Sequence, residues 1–193
     1  MNTSLLLQNI ERHVQLDAGE ADLALSLFQP KLLKRKAFLL RQGEVCRSEN
    51  FIVKGCVKVY SLDENGFEHI LMFGMEGWWV GDLLSFLTGR ESRYHIEALE
   101  DTELLQITKP DLDRLYGNVP KMERFFRILF QNAFIAHMER IDQSLSLDAA
   151  GRYGHFIGKY PAFERRIPQK QIAAYLGITP VFLSMLRKKL KNG

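Results

Sequence analysis

The stretch 167–190, IPQKQIAAYLGITPVFLSMLRKKL, constrains the chain most, because it reads as two short helices meeting at Gly177. Ile172, Ala173 and Leu176 recur at helical spacing and predict a first helix over residues 169–176. Gly177 supplies the freedom that a tight turn needs, and Ile178 is placed to plug the angle between the helices. Thr179 is a good N-cap residue, and Pro180 follows at the first helical position, where a missing N–H costs nothing. A second helix over 180–190 then buries Leu183 and Leu186 and carries Arg187, Lys188 and Lys189, with Lys191 just beyond. The expectation is a helix-turn-helix with a basic second helix, a shape that fits the major groove of double-stranded DNA.

Charge points the same way. Residues 165–193 hold seven Lys or Arg and no acid. The whole chain is only +3, which leaves −4 on residues 1–164. A basic tail on an acidic body is expected where one end meets phosphate. The alternative is a helical hairpin whose terminal lysines simply complement the helix dipole.

Upstream the texture divides. Residues 1–28 read as helical: Leu6, Leu7, Ile10 and Val14 share a face, and Asp17 can cap a second helix that Pro30 stops. From Lys34 the chain becomes short β runs, KRKAFLLRQGE, FIVKGCVKVYSL and FEHILMFG, with further strands at 94–99 and 103–107. Val57 and Val59 alternate with Lys58 and Tyr60, and Asp63-Glu64-Asn65-Gly66 is a hairpin signal. Short antiparallel strands at this density predict a closed β-roll or jelly roll.

Pro110 opens a helix, and after Pro120 comes the longest one, KMERFFRILFQNAFIAHMERIDQSLSL. Its apolar face runs from Met122, Phe125 and Phe126 through Leu129, Phe130, Ala133 and Phe134 to Met138, Ile141 and Leu145. That face is wider than packing on one sheet requires, so a two-fold helix–helix seam is expected. A further helix spans 147–159. The fold class is therefore α+β: an N-terminal antiparallel β-roll with flanking helices, a long dimerisation helix and a C-terminal helix-turn-helix. The expected divisions are 1–108, 109–146 and 147–193.

This order of parts resembles the Crp/Fnr family of bacterial transcriptional regulators over nearly the whole chain. The likeness is carried by Gly43-Glu44 followed six residues later by FIVKGCVKVY, by WWVGDLLSFLTGRES, and by Gly177, Ile178, Thr179 and Ser184 in the helix-turn-helix. The resemblance implies a homodimeric DNA-binding regulator, with RNA polymerase as a candidate partner. It also implies a ligand cassette, for which the candidates are Val80, Gly81, Asp82, Leu83, Ser92 and Arg93.

Two departures shape the expectation. In cyclic-nucleotide-binding relatives the cassette glycine precedes a glutamate, and an arginine neutralises the phosphate. Here those positions hold Asp82 and Ser92, with Arg93 one place later, where a strand would turn it to the opposite face. Tight cyclic AMP binding is therefore not expected, and no cofactor is assigned. The recognition helix has Met185 where many relatives have arginine, and Val181 where they have glutamate. Neither can form the bidentate contacts that read bases, although Val181 can touch a thymine methyl. The expected DNA-binding residues are Gln169, Lys170, Thr179, Val181, Ser184, Met185, Arg187, Lys188 and Lys189. A β-roll module that binds a ligand or protein, with little sequence-specific DNA binding, is the alternative.

Other chemistries are weakly supported. His69 and His95 lack the partners of a metal-dependent jelly-roll enzyme, and Cys46 and Cys56 form neither a metal-spaced cluster nor a disulfide framework. No nucleophile–base pair stands out, so no catalytic residues and no metal are expected. The amino terminus has no signal-peptide pattern and no run reaches the ~20 apolar residues of a membrane span. Cytoplasmic localisation is expected.

Overall fold

A computed structural model describes residues 2–191, with the side chains of Leu190 and Lys191 outside the described set. The chain opens with α1 (Ser4–Glu11) and α2 (Ala18–Ser26). Eight strands follow: β1 (Gln29–Leu33), β2 (Phe38–Leu40), β3 (Ser48–Lys54), β4 (Cys56–Leu62), β5 (Glu68–Met75), β6 (Trp79–Val80), β7 (His95–Ala98) and β8 (Thr102–Thr108), with α3 (Leu83–Thr88) between β6 and β7. Helices complete the chain: α4 (Lys109–Asn118), α5 (Lys121–Ser146), α6 (Ala149–Lys159), α7 (Phe163–Arg166), α8 (Gln169–Leu176) and α9 (Pro180–Lys191). By their internal contacts the residues divide into two units, one up to Ser61 plus Met72–Gln131, the other Leu62–Leu71 plus Asn132 onward.

The first unit is the roll. Its strands form two four-stranded sheets, in the orders β1-β8-β3-β6 and β2-β7-β4-β5. Phe51, Ile52, Val57, Ile96, Leu104 and Ile107 fill its core. Helix α2 starts on a capping box: Glu20 N–H donates to Asp17, and Asp17 N–H donates back to the Glu20 carboxylate, both at 2.9 Å. Trp79 docks the flanking helices. Its ring lies 5.1 to 6.0 Å from those of Phe126, Phe51, Phe125 and Phe28, and its Nε1–H donates to Asn9 Oδ1 of α1 at 3.0 Å.

One local expectation is corrected, and one alternation gains its context. Pro30 does not merely stop a helix: α2 ends at Ser26, and Pro30 lies within β1, paired with Leu105 of β8. β1 is the edge strand of its sheet, where a residue without an N–H is tolerated. In β4, Lys58 and Tyr60 do not face solvent; residues 56–60 are all buried. β4 is an interior strand, and Lys58 finds Glu97 directly across on β7, with Nζ 3.2 Å from the carboxylate and 4.1 Å from the Tyr60 ring centroid. A buried ammonium persists here because a carboxylate and an aromatic face replace its water.

In the second unit, Arg140 ties three segments together. Its Nη2 donates to Ile70 O at 2.7 Å and Tyr175 O at 3.1 Å, while the guanidinium stacks 3.8 Å from the Tyr175 ring centroid. Arg152 closes the start of α6 in the same way, donating to Leu147 O and Leu176 O. α6 begins at Ala149 behind an Asp148 cap rather than at Leu147, and the one-turn α7 has no counterpart in the sequence pattern.

Long helix α5 changes character along its length. Met122, Phe125 and Phe126 are buried, Leu129 and Phe130 half-buried, and residues 131–139 are all exposed. Phe134, Met138, Ile141 and Leu145 are between 49% and 84% exposed.

Candidate effector cassette and nucleic-acid interface

The cassette is built on a tight turn between β6 and α3. A Cβ at Gly81 would come 3.0 Å from Glu49 Oε2, so a larger residue would press on the Glu49 side chain. Asp82 then caps α3 with its own side chain: Oδ1 accepts the Ser85 N–H at 3.2 Å, and Oδ2 accepts the Ser92 hydroxyl at 2.7 Å. The chain 43–46 closes the other side. Gly43 N donates to Ser92 O at 2.9 Å, Ser92 N to Glu44 O at 2.8 Å, and Cys46 N to Ser85 Oγ at 2.8 Å. The helix start thus faces a carboxylate that already belongs to the chain.

Among the six expected cassette residues, Gly81, Asp82 and Ser92 come together around this turn. Val80 is buried and holds Asn50 through its carbonyl, and Leu83 is half-buried at the start of α3. Arg93 points away. It is exposed, as is Arg90, while Ser92 is buried.

Sequence reasoning missed Glu49. This residue of β3 is 4% exposed, and its Oε1 has no hydrogen-bond partner. Burial, reinforced by the charge of Asp82, pushes its carboxyl up to about 8. The available signal was the polar triplet Ser48-Glu49-Asn50 leading straight into an apolar strand; in the fold Glu49 and Asn50 are both buried, on opposite faces of β3.

A separate cavity of about 410 Å³ opens among Leu39, Leu40, Val45, Cys46, Ser48, Asn50 and Ile96, with Glu44 and Arg47 completing the lining. None of the six expected cassette residues lines it. Two of its polar lining residues bond each other, Ser48 Oγ donating to Asn50 Oδ1 at 3.1 Å, and Gln106 Nε2 donates to both, at 3.2 and 2.6 Å.

At the other end of the chain, α8 ends at Gly177 in the left-handed conformation, with φ of 66°, and Ile178 N donates to Ala173 O at 3.0 Å. Thr179 Oγ1 accepts the Phe182 N–H at 3.2 Å and so caps α9. Ile172, Ala173, Leu176 and Leu183 are buried, with Leu186 half-buried. Gln169, Lys170, Thr179, Val181, Met185, Lys188 and Lys189 are exposed, and Ser184 is half-buried. Arg187 is different. Its Nη2 lies 2.9 Å from Glu164 Oε1, which also accepts the Tyr153 hydroxyl at 2.8 Å. The side chain of Lys191, and so its expected contribution, lies outside the described set.

Comparison with known proteins shows what the chain is similar to. Residues 30–118 match the cyclic nucleotide-binding domain. The chain is 28% identical over 169 residues to a fumarate and nitrate reduction regulatory protein of Vibrio cholerae, covering 81% of this chain and 66% of that protein. It is also 28% identical over 117 residues to the cAMP-activated global transcriptional regulator CRP of Escherichia coli, covering 61% and 56%. It is a homologue of the Fnr- and Crp-type regulators.

The chain spans just under two thirds of the length of the first curated relatives it matches. Its fold is shared with a c-di-GMP-responsive global regulator of Xanthomonas campestris, with a TM-score of 0.74 at 15% identity over 91% of this chain and 92% of that one. The catabolite activator protein of Thermus thermophilus gives 0.59 at 24% identity over 92% and 84%. These homologues are transcription regulators, and no helix among the described residues is long and apolar enough to cross a membrane.

Proposed function

We propose that this chain is a homodimeric, cytoplasmic DNA-binding transcriptional regulator whose β-roll does not hold cyclic AMP tightly. The exposed set on α8 and α9, in a tail of seven bases and no acids, carries the DNA-binding part. The working division is a sensor over 1–108, a dimer helix over 109–146 and a DNA-binding part over 147–193. A dimer presents two α9 helices to successive major grooves about 34 Å apart. Binding is expected to weaken steeply with salt, with a slope of about −0.9 per phosphate neutralised. Changing both Lys188 and Lys189 to Ala should flatten that slope and lower affinity for all sequences alike. Anisotropy titrations over a salt series measure both, and a salt-independent, variant-independent signal would refute DNA binding. The pairing of Arg187 with Glu164 removes one phosphate contact and is the observation favouring the second reading, a roll module with little DNA affinity.

Low affinity for cyclic AMP follows from what already occupies the cassette. Asp82 takes the α3 amide and the Ser92 hydroxyl, and the buried carboxyl of Glu49 lies against Gly81, so an incoming phosphate meets acidic groups where relatives offer an arginine. Loss of a charge-assisted contact of this kind costs ~2–5 kcal/mol. Calorimetric titration should give no binding to cyclic AMP or cyclic GMP at or below ~10 μM. A dissociation constant in that range for either nucleotide would show that Arg90 or Arg93 reaches the site.

A further inference from the structure

We propose that α9 selects DNA by the C5-methyl groups of pyrimidines, with Val181 and Met185 as the residues that touch them; this rests on the DNA-binding reading above. Val181 and Met185 are 71% and 54% exposed. They stand four residues apart, so their side chains lie one above the other on one helix face. Phe182 borders them and is also exposed. This ridge is not core, because Leu183 fills the inward face of α9 and is fully buried. The partner is set by charge: Lys188 and Lys189 flank the ridge, and the tail that carries it has no acid. Polyanionic duplex is the complementary surface.

Within the major groove, base edges offer donors, acceptors and one apolar group, the thymine C5-methyl, which 5-methylcytosine also presents. Val181 and Met185 offer no hydrogen to any base. Packed on an unmethylated edge, they would leave its polar groups desolvated and unpaired. Packed on a methyl, they gain its burial. Nearby polar side chains are poorly placed to override this: Thr179 Oγ1 serves the helix cap, and Ser184 is half-buried. Each methyl covered is worth about fourfold in affinity, from ~0.8 kcal/mol per buried carbon.

The test begins with duplexes that the full chain enriches from a random pool. Affinities are compared by anisotropy for an enriched duplex and for the same duplex with uracil replacing thymine, which deletes only the methyls. The expected result is thymine enrichment in each half-site and about fourfold weaker binding for each contacted methyl removed. Val181→Ala and Met185→Ala, at exposed positions, should erase the thymine–uracil difference while leaving the salt slope intact. A second arm places cytosine or 5-methylcytosine at the contacted positions. A gain for 5-methylcytosine extends the readout to modified cytosine, and no gain assigns it to thymine. Steeply salt-dependent binding with equal affinity for thymine and uracil duplexes overturns the inference while leaving DNA binding standing. Absence of salt-dependent binding to any duplex overturns DNA binding itself.

Discussion

Phe134→Asp is expected to yield a monomer at micromolar concentration, where the proposed dimer of the unaltered chain should persist. Phe134, Met138, Ile141 and Leu145 recur at intervals of four, three and four, the spacing of a heptad seam. All four are substantially exposed on one protomer. Fully burying such a side chain is worth ~1.5–3 kcal/mol, and two-fold symmetry brings two copies of the stripe together. A carboxylate in that seam meets its symmetry mate in an apolar setting, so it forfeits the burial and adds the cost of two desolvated charges. Operator affinity should fall with dimerisation, because two half-sites are then no longer engaged together. Asn132→Asp, exposed and off the stripe, adds the same charge without entering the seam and should leave the dimer intact. Sedimentation velocity on the three proteins checks this, and a monomeric unaltered chain at micromolar concentration would remove the seam from the architecture.

Glu49→Gln is expected to make the protein more stable at pH 8.5 and to flatten its pH dependence below that. The ordinary carboxyl value of 4.5 is pushed to about 8 in the folded chain. Between those values the folded protein keeps a proton that the unfolded chain releases, so raising the pH favours unfolding, by at most about 1.4 kcal/mol per pH unit. Below 4.5 both states are protonated and the penalty is absent; above 8 both are ionised and it is complete. The groups facing Glu49 do not relieve it. Asp82 adds repulsion, burial raises the Cys46 thiol, and the Tyr116 phenol is raised by burial and by the Glu49 charge. Glutamine keeps the shape and removes the titration. Thermal melts from pH 5.5 to 8.5 should show a falling midpoint for the unaltered chain and a nearly level one for the variant. Parallel slopes in the two proteins would mean that Glu49 does not carry the effect.

What was legible in the sequence was whatever local chemistry decides. The Asp17 cap, the hairpin at Gly66, the helix openings near Pro110 and Pro120, and the turn at Gly177 each depend on a few neighbouring residues. What was not legible depends on partners far along the chain. β1 looked like a helix stop because only its place at the sheet edge makes Pro30 acceptable. The burial of Lys58 depends on Glu97, which only the pairing of β4 with β7 brings across. Within the cassette, the serine–arginine displacement was readable as a register argument. The closure of Asp82 onto Ser92 required the fold, because ten residues separate them. The burial of the Glu49 carboxyl was invisible for the same reason: what covers each face of β3 comes from segments distant in the chain.

On the proposed reading, a seat filled by the chain's own carboxylate does not report the concentration of a cyclic nucleotide. With Asp82 sealing the start of α3, the quantity left free to vary is the number of protomers. Below its dissociation constant, a dimer accumulates as the square of protomer concentration. Doubling synthesis then quadruples the species able to span two half-sites, and dilution at cell division lowers it just as steeply. If the proposed dimer is the DNA-binding species, a threshold in gene dosage is the response that such a self-capped helix leaves to the promoter.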